Sequence, residues 1–409
     1  MKLSAVFLTL TLAAGAFAHG EAPLHLDLEM TMEEYQAHLK KIPKSTLKLD
    51  DPAVTYGIQL GERLSQWINL VNTRRSPETA VRLTSPQTRR GTPIDKASQY
   101  SPKIIGENTK KVLEEMPAKM KAVILKQIDM TSELPLDDET FILHARKLSK
   151  VYQDAARYKS VDQYRSYYTQ AATRDIRGYY YLKSNKITAE NLRDRALIPQ
   201  DQVEPIKNAL TGLCRNAQTG INCKSAVELA FSENKIAEFY KNYMPVGEAT
   251  WKQFFDIPGY GVRKDIVWQG NTMITPFNTP TIPKFLPYLK DNIEAEFRWK
   301  NWSLKMNFGT FPDGPLLKFE PNVVPHVNAL GGNEIVMDSN QPIEEYESQW
   351  TIRHEFGHVL GLPDCYHEFY DVNLNAYVNY QLDITDLMCS RAGDMNERIY
   401  KELKRVYKK

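Results

Sequence analysis

Five consecutive residues in the last quarter of this 409-residue chain, His354-Glu355-Phe356-Gly357-His358, have the types and spacing for hydrolytic chemistry. Two histidines four apart on a helix project from one face, one turn above the other. Their ring nitrogens can then reach a single Zn²⁺ at roughly 2.0–2.1 Å each. Glu355 follows the first ligand and points beside the metal, where it can take a proton from zinc-bound water and pass it to a leaving amine. A chance match to this pattern is expected in on the order of one chain in a hundred with so few histidines.

A catalytic zinc site needs a third protein ligand and keeps one position for water. Gly361 is suited to end the helix in a left-handed turn, and Pro363 stops it from continuing. The chain then reverses and can return Asp364 towards the metal; His367, three residues further on, is the rival. With these residues in place, the segment resembles the metzincin superfamily of zinc endopeptidases, whose extended motif is His-Glu-x-x-His-x-x-Gly-x-x-His/Asp. The aspartate variant is most similar to the snapalysin-type branch. The resemblance spans about residues 260–409 and is motif-level. It implies His354, His358 and Asp364 as ligands, Glu355 as general base, and Met388, within Asp386-Leu387-Met388-Cys389-Ser390, as the methionine of a turn beneath the histidines. It also implies a twisted mixed sheet ahead of the zinc helix, with Val323–Asn328 as an edge strand along which an extended peptide docks. Pro325 is compatible only with an edge. His326 there reads as an exposed strand residue. An aspartate ligand adds negative charge, so the metal should polarise its water less than three histidines would allow, leaving more to Glu355.

The elements that must position these residues fall into two textures. From about residue 28 to 243 the pattern is helical. Leu60, Leu64, Trp67, Ile68 and Val71 form one stripe, and Thr31–Glu34 and Ser225–Glu228 fit capping boxes. Residues 72–102, with Arg74-Arg75 and Arg89-Arg90, read as a loop. After Pro245, short β-branched and aromatic runs predict strands at Ile266–Trp268, Ser303–Phe308, Leu316–Phe319, Val323–Asn328 and Glu334–Asp338. Phe285, Leu289, Ile293 and Phe297 predict a helix among them, Ile343–Gly361 the zinc helix, and Asn396–Tyr407 a terminal one. The expected fold is α+β: a helical region (residues 19–245) ahead of a metallopeptidase-like domain (246–409). The helical region reads either as a propeptide that blocks the site or as a permanent accessory domain. The tyrosines at 164, 167, 168, 179, 180 and 181 read as helix packing.

Met1-Lys2, the apolar run Ala5–Phe17 and Ala16-Phe17-Ala18 have the layout of a signal peptide cleaved after Ala18, implying a secreted or periplasmic protein. In that setting the four cysteines suggest disulfides, and local pairing, Cys214–Cys223 and Cys365–Cys389, is the economical choice among three connectivities. The second bridge would tie the ligand loop to the floor of the site. The 52 basic and 50 acidic residues nearly cancel, which points away from nucleic acid, and no later apolar run is long enough for a membrane span. The expected function is an exported zinc endopeptidase acting on a protein or peptide in extended conformation. Its rivals are an envelope binding protein with a structural or vestigial zinc site, and a metallohydrolase with a non-protein substrate.

Overall fold

In the computed structural model, which describes residues 51–76, 78–85, 97–341, 343 and 345–409, the first helix among the described residues is capped by Asp51. The Asp51 carboxylate accepts from the amides of Ala53 (2.8 Å) and Val54 (3.2 Å), and Pro52 occupies the first helical position, which needs no amide. Helix α1 (Pro52–Asn72) buries Leu60, Leu64, Trp67, Ile68 and Val71, the stripe read from their spacing. The segment 1–18, the Thr31–Glu34 box and the Arg89-Arg90 pair lie outside the described residues.

Helices α2 (Pro102–Glu115), α3 (Ala118–Ile124) and α4 (Asp138–Asp162) complete a first core around α1, with Trp67 edge-on to Phe141 at 5.1 Å. Helix α1 meets α4 closely at Gly61, where any Cβ would collide with the Tyr152 ring. After the short α5 (Arg165–Ala171), helices α6 (Arg177–Ser184), α7 (Gln200–Arg215), α8 (Cys223–Ser232) and α9 (Ile236–Phe255) enclose a second core of Leu182, Leu210, Leu213, Phe231 and Ile236. A disulfide, Cys214–Cys223, joins α7 to α8. Helix α8 starts earlier than expected, because Asn222, as good a cap as serine, accepts from the Ser225 amide at 3.1 Å. Of the tyrosine cluster, Tyr179 is buried and Tyr168 packs on Tyr377, whereas Tyr164 and Tyr167 are exposed.

Pro245 does not end the helical region. It lies inside α9, which continues to Phe255. Proline removes one intrahelical hydrogen bond, a loss that a helix packed along its length tolerates.

In the C-terminal region β2 (Val267–Gln269) pairs antiparallel with β3 (Thr272–Asn278), and β3 runs parallel to β5 (Trp302–Gly309). Helix α10 (Phe285–Glu296) makes the crossover, and β4 (Arg298–Trp299) turns back onto β5. A second sheet sets β6 (Leu316–Glu320) parallel to β8 (Glu334–Asp338), with β7 (His326–Val327) antiparallel on the free side of β8. Asn278 joins the two sheets: its amide donates to the Pro315 carbonyl (2.7 Å) and its side chain to that of Gly314 (2.8 Å). Of the expected strand Val323–Asn328, only residues 326 and 327 pair, and Pro325 lies just outside the ladder.

A third sheet carries β9 (Tyr366–Asp371) and β10 (Ala376–Gln381), extended by β1 (Ser98–Tyr100) from the helical region. Strand β1 falls in the stretch read as loop. The whole is mixed α+β, and Phe277, Phe297, Leu304, Ile352, Phe356 and Leu403 sit in one core between the sheets, α11 (Tyr346–Val359) and α12 (Glu397–Tyr407). Among the described residues no helix is long and apolar enough to cross a membrane. The two disulfides fit a chain that folds in an oxidising compartment.

Candidate metal centre

Helix α11 is held at both ends. At its start the buried Glu345 carboxylate accepts from the amides of Leu83 and Thr84 and from the Thr84 hydroxyl, all in the helical region. Midway, Arg353 donates to Asn292 (2.6 Å) and pairs with Glu296 (2.9 Å), fixing α11 against α10. At its end Gly361 adopts φ +86°. The Gly361 amide donates to the His358 carbonyl (2.9 Å) and the Leu362 amide to that of Gly357 (3.0 Å). This is a Schellman termination, and it reverses the chain. A Cβ at Gly361 would strike the Gly261 carbonyl, so the turn also depends on close backbone packing.

The reversal brings Asp364 back onto the histidines. Its Oδ1 lies 3.0 Å from His354 Nε2 and 3.2 Å from His358 Nε2, and the two rings stand 4.8 Å apart at 88°. Each Nδ1 faces a carbonyl, His354 that of Leu387 at 2.7 Å and His358 that of Leu362 at 2.8 Å. A carbonyl only accepts, so Nδ1 carries the proton and Nε2 keeps its lone pair. Bonds of 2.0–2.1 Å to a tetrahedral ion put neighbouring donors about 3.3 Å apart, close to the two spacings from Asp364 Oδ1 to the ring nitrogens. The set of two imidazoles and one carboxylate therefore fits a divalent metal such as zinc.

Without a metal the same atoms share a proton. Burial favours neutral His358, but the Asp364 carboxylate overrides it and raises the ring to about 9. Burial alone would raise Asp364, yet His358 and His354 hold it well below the usual carboxylate range. A cation bound there would displace the histidine proton.

Glu355 is buried, and its Oε2 has no hydrogen-bond partner. Its carboxylate clusters within 4.8 Å of ligand atoms of His354 and His358. An unpartnered buried carboxylate oxygen is costly unless something polar meets it, and water at a metal would do so.

His367 is not brought to this cluster. It is buried between Phe254 and Phe369, its Nε2 has no partner, and burial pushes its pKa down to about 4. His326 is exposed, with Nδ1 at the Val324 carbonyl. Met388 is fully buried, and its sulfur fills the space that a side chain at Gly357 would need, so it lies directly against the helix between the histidines. Asp386 orders that turn, accepting from the Met388 amide (2.9 Å), Asn396 (2.7 Å) and Arg398 (2.8 and 2.9 Å). The Cys365–Cys389 disulfide joins the residue after Asp364 to the residue after Met388.

A cleft of about 330 Å³ opens onto His354 and Glu355. Val323, Val324 and Pro325 line it, as do Lys150, Gln153 and Arg157 of α4. Tyr366 also lines it, its ring 6.4 Å from that of His354 and its hydroxyl accepting from Arg157 at 3.4 Å. Position two after Asp364 was the available signal for Tyr366; nothing in the sequence links α4 to a site some 200 residues away. No protein-family model, no curated protein and no solved structure matches this chain.

Proposed function

We propose that the chain is an exported zinc-dependent endopeptidase. The observation that carries this is the convergence of His354 Nε2 and His358 Nε2 on Asp364 Oδ1, with the unpartnered Glu355 Oε2 nearby. The succession of strands, crossover helix, free-sided β7 and zinc helix supports the metzincin resemblance, as does Met388 beneath Gly357.

Zinc held by His354, His358 and Asp364 would supply Lewis acidity towards the scissile carbonyl and the attacking water. The protein does the rest. The Leu387 and Leu362 carbonyls fix both ring orientations, and Asp364 supplies the anionic donor. Glu355 takes the proton of the attacking water and returns it to the departing amine. The β7 side of the cleft presents backbone to an extended peptide. A purely structural site has no use for Glu355 in this position, which argues against the binding-protein reading.

Metal content and hydrolysis of an unfolded protein, measured on the purified chain and on Glu355→Gln, test this. One zinc per chain in both, with hydrolysis only in the parent and abolished by a chelator, is the expected result. Hydrolysis retained by Glu355→Gln would overturn the mechanism.

A further inference from the structure

The helical region is joined to the rest by contacts unlike those of a removable segment. Helix α9 spans the place where a linker would be required. It buries Ile236 in the second helical core and Phe255 in the C-terminal core, and Trp251 packs against both. Domain borders normally fall in exposed linkers crossed by few contacts; this one is the middle of a helix. Strand β1 adds itself to β10, and its Tyr100 donates to Glu368 (2.6 Å) while Arg157 pairs with the same carboxylate. Glu368 is only 5% exposed at its side chain. Tyr152 crosses from α4 to Asp338 on β8, and Leu83 and Thr84 hold Glu345 at the start of α11.

The same helix, α4, lines the cleft with Lys150, Gln153 and Arg157, as Val323–Pro325 do. It walls the cleft without filling it. Among the described residues, the hydrogen bonds of His354 and His358 go to Leu387, Leu362 and Asp364, none of them in the helical region.

We infer that residues 98–255 are a permanent wall of the cleft, not a segment shed on activation, and that substrate is one extended peptide strand lying between α4 and Val323–Pro325. The substrate half of this rests on the peptidase reading; the permanence does not. A blocking segment must leave to expose the site, whereas a wall must stay to keep Glu368 paired and β1 on the β9–β10 sheet.

A recognition sequence for a site-specific protease, inserted at Gly259–Tyr260, tests it in the full chain. Nothing lies within 4 Å of a Cβ at Gly259, and Tyr260 is 83% exposed. The uncut insertion protein should melt with the parent. After cutting, the fragments should co-elute in size-exclusion chromatography, separate only in denaturant and retain peptide hydrolysis. Release of the N-terminal fragment in native buffer, or hydrolysis that rises as it leaves, would overturn the inference. Should the insertion itself unfold the chain, the intact mass of the active secreted species decides: a start before Ser98 supports a permanent wall, a start after Phe255 refutes it. Lys150→Glu, which also breaks the pair with Asp154, should shift kcat/KM from acidic towards basic peptides by about an order of magnitude, through KM. An equal effect on every peptide would remove α4 from the substrate path. Co-elution is readable even if no form hydrolyses peptides, so failure of the wall and failure of the peptidase reading give different results.

Discussion

Two aspartates near the cleft, Asp364 half-buried and Asp338 buried, behave oppositely, and most of the difference lies in what faces them. Asp364 meets two imidazoles, which keep it ionised against the cost of burial. Asp338, at the end of β8, meets neutral donors: the Tyr152 hydroxyl and the amides of Asn322 (3.1 Å) and Asn340 (2.9 Å). Burial then prevails and pushes it up to about 7. Neutral donors do stabilise a carboxylate, but less than a facing positive charge does. The first aspartate is thus fit to bind a cation, and the second to hold α4 against the sheet.

The largest break leaves both aspartates in place. Glu355→Gln should lower kcat by about 10³-fold or more while zinc content and melting stay at parental values, read by peptide hydrolysis and metal analysis. Next, Asp364→Ala should weaken zinc by more than about 100-fold, since even residues that merely orient a ligand are worth up to that much. Asp338→Asn and His367→Ala should each still bind one zinc, as titration with a chromophoric chelator would show. Full metal binding by Asp364→Ala would erase the distinction between the two carboxylates.

Smaller effects appear in stability against pH. The folded state depresses His367 to about 4 from an ordinary 6.5, so the unfolded chain binds the extra proton first. Stability should therefore fall by about 2–4 kcal/mol as pH drops from 7 to 4, and His367→Gln should remove that loss in urea melts. Asp338 has the opposite sign. Its pKa is raised above the unfolded value, so its contribution is full below about pH 3.8 and disappears as pH climbs through about 7. Asp338→Asn should flatten this slope. Tyr152→Phe, which strips a donor from the same buried carboxylate, should cost about 1–3 kcal/mol.

The sequence showed these parts unequally, for a physical reason. His354, Glu355, His358 and Asp364 lie within eleven residues, and a helix period plus a glycine turn suffice to place them together. Both disulfides close short loops, so local pairing found them. Strand β3 carries Thr272, Ile274 and Thr275 but also Pro276, which argues against an inner strand, and β9 and β10 interleave polar and charged residues with their aromatics, so none of the three was predicted. The two helical cores, and the passage of α9 through Pro245, depend on packing between distant segments. So does the wall built by α4, because no local period records what a helix faces.

Gly357 has a consequence of its own. It is one of the two spacer positions between the histidines, which the motif leaves unspecified, yet its hydrogen faces the sulfur of Met388 with no room for a methyl group. In this chain the spacer and the floor are therefore a matched pair. Among descendants of the same ancestor the two sites should co-vary, a bulkier spacer appearing only with a shorter floor residue.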